Sequence, residues 1–172
     1  MDRGSRELLV ARRVGRVLRR LKCRELMILV WGPGKRDPAY TKRKDIRREL
    51  QSQFPNAAVH FSEDERLRCL TRGKVLRLSQ EELLQAMAAD LIFVLDSSKG
   101  AGEEIARYSA YPFIARKMVV LSHERFRGVP SFATDVRVPL AVEWFSDNDY
   151  DSCHLAKIKC PKHVMGWLLS RI

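Results

Sequence analysis

Three stretches of the chain are almost wholly apolar, and they mark the centre of a sheet. They cover residues 26–31, 90–96 and 117–122. A strand that is apolar on both faces is typical of a parallel sheet covered by helices on each side. A shorter apolar stretch predicts a further strand over 57–61, and residues 134–138 are expected to form an edge strand.

Helical patterns alternate with these strands. A charged stretch with Ile46 and Leu50 facing inward predicts a helix over 38–54, and a helix over 103–114 follows the second central strand. The residues from Ser79 to Glu82 have the form of a capping box that opens a helix over 81–89. Strands alternating with helices imply right-handed parallel crossovers. We therefore expect an α/β fold, a flavodoxin/Rossmann-like three-layer sandwich whose mainly parallel sheet has four or five strands.

An extra helix is expected before the first strand. Over residues 5–21 apolar side chains recur at three- and four-residue steps, and arginines occupy the other face: the apolar positions are Leu8, Leu9, Val14, Val17, Leu18 and Leu21. Two interpretations stay open. The leucines dock on the core while the arginines lie in water, or the segment is an arm that binds nucleic acid.

The length favours a single domain over residues 1–172. It would comprise the basic amphipathic helix 1–22, a core over 26–122, and an edge strand with a closing helix over 134–172, the closing helix starting near residue 159. No apolar stretch approaches the roughly 20 residues that span a bilayer, so no membrane span is expected. The first residues lack the apolar segment of a secretory signal, and we expect a cytoplasmic protein.

Charge is concentrated at the start of the chain. The net charge is +11, and residues 1–25 hold nine basic residues against three acidic ones. Such a segment is suited to nucleic acid, which residues 3–24 would contact, and equally to an anionic membrane surface or an acidic partner.

Neither a metal nor a cofactor is predicted. Cys153, His154, Cys160 and His163 lie close in sequence, but their spacing fits no common structural zinc pattern. We interpret the thiols as packing groups. The four histidines are dispersed and indicate no catalytic triad.

Two glycine-containing loops should share the carboxyl edge of the sheet, where ligands of open parallel sheets bind. One covers residues 32–37 and the other residues 96–104. The second precedes a helix, whose exposed amides and dipole favour a phosphate. Ser98, Gly100 and Gly102 would cradle it, with Lys35 or Arg36 as an added cation. Neither loop is a Walker A or dinucleotide motif, so the glycines could equally serve only the turns. The acidic residues 63–65 could reach the same edge and bind a ribose hydroxyl, or form a solvated loop.

Residues 89–110 resemble a motif of the nucleoside 2-deoxyribosyltransferase superfamily and its deoxynucleotide N-hydrolase branch. That superfamily carries an Ala-Asp-apolar strand followed by a Ser-x-Gly-x-Gly-x-Glu loop and a helix. Ala89 and Asp90 match the start of the strand, and the loop matches at four positions: Ser98, Gly100, Gly102 and Glu104. Gly32 and Pro33 resemble the glycine-rich turn after the family's first strand, and Tyr40 with Arg43 the helix start that follows. The resemblance covers roughly residues 26–122.

The resemblance implies a hydrolase or transferase that cleaves the N-glycosidic bond of a nucleotide, either a deoxynucleotide or a molecule like NAD. Glu104 would attack or stabilise the anomeric carbon, and Asp90 would join it as a catalytic residue. The substrate-binding set would be Gly32, Pro33, Gly34, Lys35, Arg36, Tyr40, Arg43, Asp96, Ser98, Gly100 and Gly102. TIR-type NAD hydrolases are similar to this superfamily in general architecture and also use a glutamate on the corresponding helix.

A homodimer is expected from the resemblance alone. Glu103 precedes Glu104 directly, and the motif alone distinguishes them. The alternatives are a nucleotide sensor without turnover and a protein that binds nucleic acid or another partner through its first helix.

Overall fold

A five-stranded sheet with all strands parallel forms the centre of the molecule. A computed structural model describes residues 12, 14–17, 19–68, 77–129 and 140–171. The strand order is β2-β1-β3-β4-β5. The strands are β1 (Leu26–Trp31), β2 (Ala57–His60), β3 (Leu91–Asp96), β4 (Met118–His123) and β5 (Ala141–Phe145). The α/β prediction and its flavodoxin/Rossmann-like arrangement are confirmed.

Helices connect the strands and cover both faces of the sheet. Residues 12, 14–17 and 19–22 are helical and lead towards β1. The later helices are α1 (Tyr40–Gln53), α2 (Glu65–Arg68), α3 (Leu78–Ala88), α4 (Lys99–Tyr108), α5 (Pro112–Ala115), α6 (Asp147–Asp151) and α7 (Cys160–Leu169). A 3₁₀ turn covers Glu124–Phe126, and a π-helical turn over Leu155–Lys159 runs directly into α7. None of the helices in the described residues is long and apolar enough to cross a membrane.

Alternate residues of β1 explain why two hydrophobic cores form. Ile28 and Val30 point to the face covered by α1 and α7. Leu29 and Trp31 point to the other face, where they pack with residues of α3 and α4. All four side chains are fully buried. A strand with two covered faces has to be apolar at every position, which is the pattern that the sequence carries.

The start of α4 differs from the sequence-based expectation. The helix begins at Lys99 rather than at 103, because the Ser98 hydroxyl accepts a hydrogen bond from the Ala101 N–H at 3.3 Å. Serine is among the strongest N-cap residues. Gly100 and Gly102 therefore lie in the first turn of the helix and not in a loop.

The start of the helix before β3 was also predicted wrongly. Helix α3 begins at Leu78, and the Gln80 side chain accepts a hydrogen bond from the Arg77 N–H, so the capping box does not start at Ser79. The fifth strand is Ala141–Phe145. The edge strand expected over 134–138 lies outside the described residues.

Within its described residues, the N-terminal helical segment contacts the core at its end. Leu21 is buried in the cluster that α1 and α7 cover. Val14 and Val17 lie on the same stripe but are about half exposed, at 51% and 47%. Among these three residues, only Leu21 docks as the amphipathic pattern predicts.

Candidate functional site

The sheet order places the ends of β1 and β3 side by side, although β2 lies between them in sequence. This is the point where the strand order reverses, and in open parallel sheets it is the point where ligands bind. Gly32, directly after β1, has a φ of +144°. A Cβ there would lie 3.0 Å from the Leu95 Cβ and 3.1 Å from the Leu95 carbonyl oxygen. Glycine therefore lets the two strand ends approach closely.

Arg43 holds the end of β1 in place from inside the protein. Its side chain is only 2% exposed, and its guanidinium donates to the Val30 carbonyl at 2.8 Å and the Pro33 carbonyl at 2.9 Å. The same group forms a two-pronged ion pair with Glu63, with N–O distances of 3.0 and 3.1 Å. It also lies 4.3 Å from the centre of the Phe61 ring. A planar fork of donors suits this combination of carbonyls and a carboxylate.

The structure distinguishes the two adjacent glutamates of α4. Glu103 is exposed, and its carboxylate lies 4.0 Å from the Lys99 ammonium. Glu104 points inward, and its Oε2 is buried with no hydrogen-bond partner among the described residues. Burial raises the pKa of Glu104 to about 8, and the nearby carboxylates of Glu82 and Glu63 act in the same direction. Arg43 and Arg107 oppose that rise only in part.

A second acidic group on α3 completes the surroundings of Glu104. Glu82 accepts a hydrogen bond from the Tyr108 hydroxyl at 2.9 Å and lies 3.8 Å from the Arg107 guanidinium. The Tyr108 ring packs on Trp31, with 5.0 Å between ring centres. These contacts fix the helix that carries Glu104 against the end of β1.

Several buried polar atoms on these elements lack a hydrogen-bond partner within the described part of the chain. They are Trp31 Nε1, Arg43 Nε, Arg47 Nε, Gln85 Oε1 and Glu104 Oε2. Buried polar groups in proteins are normally hydrogen-bonded, so these atoms are exceptions to that rule. The set contains donors as well as acceptors.

The turn between β3 and α4 borders the same site. Asp96 ends β3, and its carboxylate accepts a hydrogen bond from the Ser122 hydroxyl at 3.3 Å. Burial nevertheless raises the pKa of Asp96. The first intrahelical backbone bond of α4 runs from the Gly102 N–H to the Ser98 carbonyl at 3.2 Å. The N–H groups of Lys99 and Gly100 lie before that first bonded position, so they have no acceptor within the helix and point out of its N-terminal end.

The loop after β1 supplies exposed cations and an ordered turn. Lys35 and Arg36 are exposed, and so is Gly34. The Asp37 carboxylate accepts from the Ala39 N–H at 2.8 Å and so starts the turn into α1. Tyr40 packs edge-on against Phe61, with 5.8 Å between ring centres.

Asp90 does not belong to this site. It lies before β3, at the amino edge of the sheet, where its carboxylate accepts from the Met27 N–H at 3.0 Å. The six residues of β3 separate it from the carboxyl edge by about 20 Å. Asp90 aligns the starts of β1 and β3, and the structure does not bring it together with Glu104.

His60 ends β2 at this edge and lies 3.7 Å from the Asp64 carboxylate. His123 ends β4 at the same edge, and both of its ring nitrogens are engaged. Nδ1 accepts from the Arg125 N–H at 3.1 Å, and Nε2 lies 3.0 Å from the Asp147 carboxylate. This arrangement puts the ring proton on Nε2, where it is donated to Asp147. His123 therefore orients the start of α6 rather than serving as a free base.

The cysteine and histidine residues near the C-terminus contribute to packing and ion pairing. Cys160 is buried in the core, and burial raises the pKa of its thiol. His163 lies 2.9 Å from the Glu143 carboxylate. Within the described ranges, no group of three or more His, Cys, Asp or Glu side chains is arranged to hold a metal ion.

Sequence reasoning missed Glu82, Tyr108 and the polar edge of Trp31. Tyr108 is one helical turn beyond Glu104, at the i+4 position that shares a helix face, so this spacing was a usable signal. No sequence signal joins Glu82 to Glu104, because that contact depends on how α3 packs beside α4. Glu63 was considered as a residue of this edge, and the structure places it there through its ion pair with Arg43.

No model of a known protein family matches the chain, and no curated protein sequence matches it.

Proposed function

We propose that the protein binds a nucleotide at the carboxyl edge of β1 and β3 and cleaves its N-glycosidic bond with the assistance of Glu104. The observation that carries this proposal is the state of Glu104. Its carboxyl is buried on the helix after β3, one of its oxygens has no partner among the described residues, and its pKa is raised to about 8. Strongly shifted carboxyl groups in a ligand-binding cleft are characteristic of catalytic sites.

The chemistry of glycosidic cleavage calls for such a group. As the bond from the sugar to the base breaks, positive charge develops at the anomeric carbon. A carboxylate placed there can bond to that carbon or offset its charge, and burial strengthens the electrostatic effect. The departing base takes the electron pair of the broken bond. A neutral nucleobase then needs a proton from water or a neighbouring acid, whereas the cationic nicotinamide of NAD leaves as a neutral molecule and needs none. The sugar passes to water or to a second base.

The start of α4 supplies a place for the 5′-phosphate. The N–H groups of Lys99 and Gly100, which have no intrahelical partner, favour an anion there. Glu104 lies about 6 Å further along the helix axis, one turn on. That separation accommodates a sugar between its phosphate and its anomeric carbon. Lys35 and Arg36, which are exposed in the loop after β1, add positive charge at the same edge.

The raised pKa has a consequence for the pH dependence of the reaction. At neutral pH most Glu104 is protonated in the free protein, because its pKa is about 8. If the carboxylate is the reactive form, kcat/KM rises with pH and levels off above about 8. A substrate with a cationic base, such as the nicotinamide ring of NAD, would favour the carboxylate on binding and would be the preferred class.

The experiment is chromatography of deoxynucleotides, ribonucleotides and NAD after incubation with the protein. We expect release of a base from at least one of them. Replacing the carboxyl by an amide in Glu104→Gln should lower that rate by at least about a hundredfold, since the amide can neither bond to the anomeric carbon nor carry negative charge.

Glu103→Gln is the matched control, because Glu103 is the adjacent residue of the same helix and is exposed. It should retain the wild-type rate. Base release that survives in Glu104→Gln would contradict the role given to Glu104.

A sensor that binds a nucleotide without turnover is the second candidate, and the protonation of Glu104 favours it. A neutral carboxyl is a hydrogen-bond donor and not a nucleophile. In that case a nucleotide raises the melting temperature of the wild type, no base is released from any compound, and Glu104→Gln still binds.

A further inference from the structure

The amino edge of the sheet, opposite the candidate site, carries an unusual combination of exposed apolar and basic side chains. Helices of α/β crossovers return the chain from the carboxyl edge to the amino edge, so the segments before β1, β3 and β4 all lie there. The end of α7 lies there too, since Arg171 and Trp167 line a cleft with Arg24 and Asp90. We refer to this region as the amino-edge surface.

Large apolar side chains on the amino-edge surface are open to solvent. Phe113 is 48% exposed, and Tyr111 lies edge-on to it with 6.0 Å between ring centres. Met87 and Leu169 are each about half exposed. The Lys117 ammonium donates to the Met87 carbonyl at 2.9 Å and the Ala89 carbonyl at 2.7 Å, which ties the segments before β3 and β4 together.

Basic side chains surround these apolar groups. Arg24 and Arg116 are exposed, and the Arg171 guanidinium lies 4.6 Å from the centre of the Trp167 ring. Glu25 and Asp90 are acidic residues that line the same cleft as Arg24 and Arg171. Asp90 is already engaged by the Met27 N–H.

The N-terminal helical segment continues the same combination. Val14 and Val17 are exposed and share a helix face with Leu21, which docks on the core. The arginines of the other face are also exposed: Arg12, Arg16, Arg19 and Arg20. The segment is thus a basic amphipathic helix whose apolar stripe extends beyond the body of the protein.

We propose that the amino-edge surface and this helical segment together form a surface that lies on anionic membranes. An interface of anionic lipid satisfies both kinds of side chain at once, with arginines at the phosphate groups and aliphatic side chains at the acyl boundary. Nucleic acid would engage the arginines but leave Val14, Val17 and Met87 in water. A second copy of the chain would bring two strongly basic surfaces together.

The placement leaves the candidate site free. Residues 21–25 enter β1 at its amino end, and the strand carries the chain about 20 Å to the carboxyl edge. A molecule bound by its amino edge therefore presents the site of Glu104 to the aqueous side. The membrane proposal does not depend on the proposed reaction.

The test is cosedimentation of the full chain with vesicles of phosphatidylcholine containing phosphatidylserine, and with vesicles of phosphatidylcholine alone. We expect binding to the anionic vesicles only, weakened by salt. The double variant Arg16→Gln/Arg19→Gln should lower the partition coefficient about fivefold for each arginine removed. Val17→Asp should lower it at least about tenfold, because it removes apolar contact and adds negative charge.

Val129→Asp is the matched control, since Val129 follows β4 at the opposite edge and is 50% exposed against 47% for Val17. It should bind as the wild type does. Phe113→Ser changes the amino-edge surface outside the helical segment, so it remains informative if Val17→Asp unfolds the helix. We expect Phe113→Ser to bind anionic vesicles less than the wild type does. The proposal would be overturned if the wild type did not bind anionic vesicles. It would also be overturned if Val17→Asp and Val129→Asp bound equally well and Phe113→Ser bound as the wild type does. Binding of the protein to an immobilised oligonucleotide but not to vesicles would overturn it as well.

Discussion

Single residues decide the shape of the carboxyl edge, and Gly32 is the clearest case. It combines a φ that L side chains rarely adopt with a close approach to Leu95 on the neighbouring strand. The sequence places a Gly-Pro-Gly turn after the first strand but does not say which glycine the fold requires. Gly34 has open space around its Cα, so its role differs from that of Gly32.

Gly32→Ala should therefore destabilise the protein by about 2–3 kcal/mol, through strain in the backbone and a clash with Leu95. Gly34→Ala should leave the free energy of unfolding unchanged or raise it by up to about 1 kcal/mol, because the unfolded chain loses freedom and nothing clashes. Urea denaturation of both variants measures the difference. Equal stabilities would show that the approach of β1 to β3 does not need glycine.

At the scale of elements, Arg43 joins three parts of the chain. It lies on α1, binds the carbonyls at the end of β1, and pairs with Glu63 after β2. Sequence patterns treat an arginine in a charged helix as solvated. Arg48 of α1 fits that rule at 64% exposed, Arg47 is 27% exposed and pairs with Asp64, and Arg43 at 2% is the clear exception. The burial of Arg43 depends on tertiary contacts, which a helical pattern does not show. The family resemblance nevertheless places Arg43 among the predicted site residues.

Arg43→Met should lower the free energy of unfolding by about 3 kcal/mol, because Glu63 and the carbonyls of β1 lose their donor together. Arg43→Lys should recover only part of this, since an ammonium cannot reproduce the two-pronged contact. Arg48→Met is the control on the same helix, with a side chain 64% exposed, and should change stability by less than about 0.5 kcal/mol. A stability of Arg43→Met equal to that of Arg48→Met would contradict this account.

At the scale of the whole molecule, ionisable groups with shifted pKa values make the free energy of unfolding depend on pH in two directions. The folded pKa of Glu104 is about 8 against an ordinary value of 4.5, so the native state keeps a proton that the unfolded state loses. Its contribution is complete below pH 4.5 and declines as the pH rises to about 8. The lowered pKa values of Asp64, Glu143 and Asp149 act oppositely, since hydrogen bonds and ion pairs stabilise their charged forms in the fold. Their contribution is lost as the pH falls through those values.

Glu104→Gln should therefore stabilise the protein at pH 8 and above relative to the wild type, by on the order of 3 kcal/mol. The pH of maximum stability should move upward in the variant. Melting temperatures of both proteins between pH 4 and 9 check this, with Glu103→Gln as the control that keeps the wild-type curve. Parallel curves for wild type and Glu104→Gln would mean that Glu104 is not protonated in the native state at neutral pH.

The sequence by itself determined the three central strands and their parallel arrangement. Residues that are apolar on both faces have to be covered on both faces, and local hydrophobic pattern is enough to show this for β1, β3 and β4. It also pointed to Glu104 and Ser98 through a local motif. The strand at Ala141–Phe145 was not predicted. It lies at the edge of the sheet, where most of its residues are only partly buried, so its sequence is not continuously apolar.

Tertiary structure alone decided which of the predicted site residues lie close together. Strand order 2-1-3-4-5 put Gly32 beside Leu95 and placed Asp90 at the far edge, since pairing between non-consecutive strands is set by packing of the whole sheet. The packing of α3 against α4 brought Glu82 to Glu104 and so helped to raise the pKa of that carboxyl. Burial and the distances between charges are properties of the folded molecule, and a linear pattern carries neither.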